Sequence, residues 1–187
     1  MALPEPTTAR LRMRRVSMDD LDAFVALETA LRAREGGDTP DAAKSARYLA
    51  DFARVWENGE LGYWTVLLQE RVAGFGGVQP KLWQGRRCWN LYYRVDPALW
   101  GQGIATEVAR EAVAAGTAVR PEWPVLVETR PWNTAAIRVA EQAGLVRRDD
   151  QDGYAVLLLD VTERTGSPGG TAPRPPRAGP GGAPPGS

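Results

Sequence analysis

The segment Tyr93-Arg94-Val95-Asp96-Pro97-Ala98-Leu99-Trp100-Gly101-Gln102-Gly103-Ile104-Ala105-Thr106-Glu107 reads as a strand, a proline-marked turn and a glycine-containing loop that opens a helix. A helix start presents N–H groups without acceptors and the positive end of the helix dipole. Gly101 and Gly103 lack the Cβ atoms that would hold a diphosphate away from those amides. The chemistry this predicts is anion binding by main chain. A dipole contributes only about 0.3–1 kcal/mol, whereas each hydrogen bond to a charged group reaches roughly 1.5–3 kcal/mol, so convergent amides dominate. Trp100 supplies no positive charge. A Gly-X-Gly before a helix also builds ordinary tight turns, so the surrounding pattern has to decide between the two.

Other reactive groups are few. The chain has no histidine and a single cysteine, Cys88, which excludes a disulfide framework, the usual zinc sets and every Ser-His or Cys-His nucleophile pair. No metal site is expected. Nothing near Cys88 in sequence would lower its pKa, and it reads as a buried strand cysteine rather than a covalent nucleophile. Lysine plus arginine number 23 against 23 acidic residues, so no global field recruits nucleic acid or an anionic membrane. The N-terminus lacks the apolar core of a signal peptide, and no stretch approaches the ~20 apolar residues of a membrane span. A cytoplasmic protein is expected.

The elements that position the loop follow from patterning. At 187 residues, 43% of them apolar, the chain suits one domain with a sizeable core. Leu11 to Val16 suits a strand. Ser17, Asp19 and Asp20 then read as the cap and acidic first turn of a helix through Phe24, Leu27 and Leu31. Gly36, Gly37 and Pro40 break the chain before a second helix carrying Tyr48, Leu49, Phe52 and Val55 and ending near Asn58-Gly59. Gly62 to Gln69 and Val72 to Gln79 predict a hairpin turning at Glu70-Arg71, with a third antiparallel strand from Cys88 to Val95. A helix from Ile104 to Ala115, a buried strand from Val125 to Thr129, a helix from Thr134 to Ala143 closed by Gly144, and a strand from Ala155 to Asp160 complete the order. The order β-α-α-β-β-β-α-β-α-β predicts a single three-layer domain on a mixed α/β sheet over residues 1–164. No internal repeat is visible. Residues 165–187 hold seven prolines and seven glycines and no large apolar side chain, which predicts a disordered tail.

In this context Asp96-Pro97-Ala98-Leu99-Trp100-Gly101-Gln102-Gly103-Ile104-Ala105-Thr106-Glu107 resembles the cofactor loop of the GNAT superfamily of N-acyltransferases. It has the form Asp-Pro-X-X-Trp-Gly-X-Gly-X-Ala-Thr-Glu of the RimJ/RimL-type, ribosomal-protein alanine acetyltransferase-like subgroup. Asn133 to Leu145 resembles the family's second signature, an Asn-led helix ending in Gly-Phe. The resemblance spans roughly residues 9 to 160. It implies an α/β (α+β) fold of three layers, with a mixed, mostly antiparallel sheet of six to seven strands and helices on both faces.

The same resemblance implies acetyl-CoA as co-substrate. Its diphosphate would lie on Trp100, Gly101, Gln102, Gly103, Ile104, Ala105 and Thr106. Its pantetheine arm would enter a wedge between the strand ending at Val95 and the strand Val125 to Thr129, against main-chain groups near Arg94 and Val95, with Asn133 and Ile137 beside it. Read without the family, Asn133 is an ordinary helix cap. The Val95 N–H becomes the donor where negative charge develops on the thioester carbonyl.

Direct attack by an amine needs a base and an acid, yet the family's helix tyrosine is Ala140 here and the subgroup's serine is Ala136. Glu128 is the candidate to act on the amine through water, and Tyr93 or Tyr92 to protonate the thiolate. The plainer readings are a strand-end salt bridge for Glu128 and core packing for the tyrosines. Without a strong base, an α-amine of pKa ~7.8, which costs about 1 kcal/mol to deprotonate at pH 7, is favoured over a lysine of pKa ~10.4 at about 4.6 kcal/mol. The expected acceptor is therefore a peptide N-terminus or a small-molecule amine. Trp56, Trp64, Trp83, Trp89 and Trp132, and the acidic Glu35, Asp38 and Asp41, are candidates to line the acceptor cleft. A homodimer is compatible with this reading. The competing class is a catalytically silent acyl-CoA-binding regulatory module; a Rossmann domain lacks its Gly-X-Gly-X-X-Gly fingerprint.

Overall fold

A computed structural model describes residues 2–160; the end of the expected domain, 161–164, and the tail expected at 165–187 lie outside them. The elements are β1 (Leu11–Arg15), α1 (Leu21–Glu35), α2 (Ala42–Glu57), β2 (Tyr63–Leu68), β3 (Arg71–Trp83), β4 (Arg86–Val95), α3 (Ile104–Val119), β5 (Val125–Thr129), α4 (Thr134–Gln142), β6 (Val146–Arg147) and β7 (Ala155–Leu159). Seven strands form one sheet in the order β1-β2-β3-β4-β5-β7-β6. Every neighbouring pair is antiparallel except β4 with β5.

Side-chain alternation along β4 divides the sheet into two faces. Tyr92 packs on Phe52 of α2, with ring centroids 5.6 Å apart, and Arg94 pairs with Glu28 of α1. Tyr93 points the other way, its hydroxyl donating to the Ala136 carbonyl of α4 at 2.6 Å. Helix α3 lies on that second face against Gly76, where an added Cβ would meet Val108 Cγ1 at 2.7 Å and the Tyr92 carbonyl at 2.9 Å. Helices α1 and α2 thus cover one face and α3 and α4 the other, with the fully buried Phe24, Leu49, Trp64, Phe75, Ile104 and Val108 among the core.

Three differences from the sequence expectation have physical causes. Strand β3 runs through Pro80, where the expected strand stops. The Asp96 N–H donates to the Ala73 carbonyl at 2.9 Å, so odd residues of β3 bond β4 and the position of Pro80's missing N–H faces the other side. Beyond Gly77 no β2 residue pairs there, and an edge tolerates proline. The first hairpin turns at Gln69-Glu70, with φ of 49° and 62°, one residue earlier than expected. Strand β6 has only two residues, both exposed, too short for any periodicity.

Asp20, expected as a first-turn acid, is 3% exposed. Its carboxylate accepts Arg14 Nη1 at 2.9 Å and Nη2 at 2.5 Å, the Thr65 hydroxyl at 2.7 Å and the Ser17 N–H at 3.0 Å. Burial alone would raise its pKa; the Arg14, Thr65 and Ser17 bonds together hold it below the ordinary carboxylate value.

Tyr63, Tyr92 and Tyr93 line the centre of the sheet, Tyr63 stacked on Tyr92 at 4.8 Å between centroids. Burial pushes all three phenols above their ordinary value of 10.0. The neutral phenols therefore stabilise the fold fully below pH 10, and the contribution is lost as pH rises beyond it towards the folded values. Each such group costs about 1.4 kcal/mol per pH unit in that window. Urea unfolding midpoints should hold steady from pH 8 to 9.5 and fall steeply above pH 10, less so in Tyr63→Phe.

Candidate active site

Strands β4 and β5 pair only at Trp89 with Val125 and Asn90 with Leu126. Beyond that point β4 continues to Val95 and β5 to Thr129, and the two separate. The Trp89 N–H donates to the Pro124 carbonyl at 2.8 Å, so odd residues of β4 direct their main chain towards β5. The N–H groups of Tyr93 and Val95 consequently face a gap where no strand pairs with them. The Val95 carbonyl accepts the Trp100 indole N–H at 2.9 Å, and the Val95 N–H stands as a donor at the mouth. Arg94 is different: its main chain belongs to the β3 ladder and its side chain lies on the α1 face with Glu28.

The loop at 100–103 leads from this mouth into α3. Gly101 and Gly103 have φ of 77° and 75°, the left-handed region that glycine adopts without strain. Gly103 is the N-cap and no side chain caps the helix; its first intrahelical bond runs from the Glu107 N–H to the Gly103 carbonyl at 3.1 Å. The N–H groups of Gly103, Ile104, Ala105 and Thr106 therefore emerge beside the gap without intrahelical acceptors. The Ile104 side chain is 1% exposed and belongs to the core, while the Thr106 hydroxyl is bonded to Gln142 Oε1 at 2.9 Å. Only main chain from these residues is presented. Gln102 is exposed.

Two cations missed in sequence stand at this loop. The Arg34 guanidinium, from α1, lies 5.2 Å from the Trp100 ring centroid, and Arg10 Nη2 would lie 3.6 Å from a Cβ on Gly103. Arg10 Nε is held by Glu107 at 2.7 Å. No spacing rule connects these residues to the loop; folding alone brings them there.

On the far side of the gap, Asn133 caps α4, its Oδ1 accepting the Ala136 N–H at 3.1 Å. Its amide nitrogen still carries two donors. Ile137 is 7% exposed, within the core. An unpaired strand edge continuous with an uncapped helix start suits a long ligand with amide groups at one end and phosphate at the other.

Residues 10–146 match the acetyltransferase (GNAT) domain family. The chain is a GNAT acetyltransferase. No curated protein matches its sequence. Its fold is shared with an acetyltransferase from Agrobacterium tumefaciens, at TM-score 0.71 and 18% identity over 85% of this chain and 95% of that one. RimL, a ribosomal L7/L12 α-N-protein acetyltransferase solved with coenzyme A, gives TM-score 0.68 and 15% identity over 83% and 97%. The microcin C7 self-immunity acetyltransferase MccE, in complex with acetyl-CoA and AMP, gives 0.65 and 9% over 82% and 93%.

The gap in this GNAT acetyltransferase is flanked by the other expected side chains. Glu128 lies on the α1/α2 face of β5 in an ion pair with Lys81, the strand-end salt bridge weighed above, now with its partner identified. The Tyr93 hydroxyl sits on the opposite face, on the α4 turn that carries Ala136. Tyr92 faces α2. Of the tryptophans, Trp56, Trp64 and Trp89 are core residues, Trp83 is partly buried, and Trp132 is 74% exposed beside the gap. Asp41 caps α2 through Ala43 and Lys44, and Asp38 is exposed. Among the described residues no cluster suits a metal ion and no helix is long and apolar enough to cross a membrane.

Proposed function

We propose that this enzyme transfers an acetyl group from acetyl-CoA to a primary amine, a peptide N-terminus or a small-molecule amine, by direct attack. The observation that carries the reading is the unpaired β4 edge at Tyr93 and Val95, continuous with the uncapped start of α3. Acetyl-CoA supplies the activated acyl group as its thioester. The amides of Gly103 to Thr106 hold its diphosphate, and Arg34 and Arg10 add positive charge at the rim. The main chain of Tyr93 and Val95 binds the pantetheine arm in the manner of a strand, with the Asn133 amide opposite. The Val95 N–H, facing the gap at its mouth, stabilises negative charge developing on the acyl oxygen.

The Tyr93 hydroxyl, which donates to the Ala136 carbonyl at rest, is the acid for the departing thiolate once it turns to the sulfur. Glu128 acts on the amine through water, its carboxylate steadied by Lys81. RimL's described action on a protein α-amine supports the peptide acceptor. Tyr93→Phe should lower kcat by about 100-fold with KM for acetyl-CoA nearly unchanged. Cys88→Ser should retain full activity: the thiol is buried, burial raises its pKa, and its Sγ lies 3.5 Å from the Lys81 carbonyl. The deciding experiment follows thiol release from acetyl-CoA with N-terminal peptides, small amines and lysine side chains, with calorimetric binding in parallel. Turnover fastest on amines of low pKa is expected; coenzyme binding without turnover on any amine would leave a silent binding module instead.

A further inference from the structure

The α1/α2 face of the sheet carries a cation that the chemistry above does not use. Arg130 immediately follows β5, one position beyond the last pair of β5 with β7, Thr129 with Ala155. Continuing that register sets it opposite Tyr154, on the same face as Glu128, which pairs with Val156. The rings confirm the placement: the Arg130 guanidinium is 4.4 Å from the Tyr154 centroid and 5.6 Å from that of Trp132. Both rings are exposed, Trp132 at 74% and Tyr154 at 36%.

Lys81 and Arg94 on this face are each paired with a carboxylate, Glu128 and Glu28. Arg130, exposed, has no carboxylate partner among the described residues. A guanidinium laid on aromatic faces keeps its planar N–H fork fixed and open, the geometry that takes a carboxylate through two parallel hydrogen bonds. A second group on the same face lacks a partner: Gln79 Oε1 is buried without a hydrogen bond. Gln79 is opposite Asn90, and Asn90 opposite Leu126, so this oxygen lies on the row that meets β5 where the gap begins. It accepts hydrogen bonds and donates none.

Resting on the amine-acetylation reading, we propose that Arg130 recognises a carboxylate carried by the acceptor, so that the preferred substrate is an amine bearing a carboxylate. A peptide with an acidic residue directly behind its N-terminus fits. Glu128 and Arg130 are alternate positions on one sheet face, about 6.7 Å apart along the chain, a span that matches the N-terminal amine and the second-residue carboxylate of such a peptide.

The test compares paired acceptors, a peptide beginning Ala-Asp and its Ala-Asn counterpart, in wild type and Arg130→Ala. The wild type should favour the acidic peptide. The substitution should lower its kcat/KM about 10- to 100-fold, leaving the amide peptide within about twofold and KM for acetyl-CoA unchanged. Equal loss on both peptides, or no wild-type preference between them, overturns the proposal while acetylation stands. A loss that appears with acetyl-CoA and vanishes with its 3′-dephospho form assigns Arg130 to a coenzyme phosphate and also overturns it. Absence of turnover on every amine removes the acetylation reading and this proposal with it.

Discussion

Gly103→Val should weaken coenzyme A binding by about 1,000-fold while the protein remains folded. Gly103 has φ of 75° and an added Cβ would find only Arg10 within 4 Å, so the fold has room for a side chain but the backbone does not suit one. A β-branched residue there costs of order 1–3 kcal/mol, which the exposed loop relieves by leaving the left-handed region. Leaving it turns the first amides of α3 away from their common focus. Two charge-assisted hydrogen bonds lost at about 1.5–3 kcal/mol each account for a thousandfold effect. Calorimetry with coenzyme A, and the urea midpoint measured alongside, separate loss of binding from loss of fold. Binding within tenfold of wild type would mean that Arg10 and Arg34, rather than the amides, hold the diphosphate.

Asp20→Ala should be the most destabilising single change at a polar residue, by about 3 kcal/mol or more. The carboxylate is buried and joins β1, through Arg14, to β2, through Thr65, and to the turn preceding α1, through Ser17. Its removal strands a partly buried guanidinium and a fully buried hydroxyl, and breaking a buried pair from one side costs about 3–5 kcal/mol. For a chain of this size the thermal midpoint should drop by about 10 °C. Because the folded pKa is depressed, the stabilisation is present above the ordinary value of 3.8 and is lost as pH falls through the folded value. The difference between wild type and variant should therefore shrink in acid. A difference that persists unchanged to pH 2 would show that the carboxylate's charge is not its source.

The contrast between these two sites explains what could be read from the sequence. Gly101 and Gly103 act through their own main chain, so the loop's chemistry is local and its spacing visible. Arg10, Arg34 and Arg130 lie where only the sheet register and the α1 docking put them, and none carries a local signature. Asp20 looks like any first-turn acid until β1 and β2 close over it. The strand that stops at Pro80 in sequence continues in the sheet because a missing N–H matters only where a neighbour needs it. Glu128 was identifiable as a strand-end acid, but its partner Lys81 is 47 residues away, on a strand extension the proline concealed.

Pro80 has a consequence beyond the length of its strand. Past Gly77, β3 has an edge that β2 does not cover. An open edge invites any extended chain to add itself as another strand, and a peptide substrate is such a chain. One of the donor positions on that edge is occupied by a residue with no hydrogen to give. Incoming peptides, and second copies of the protein, are thus denied a continuous ladder along this stretch of β3, whereas the gap between β4 and β5 offers main chain without such an interruption.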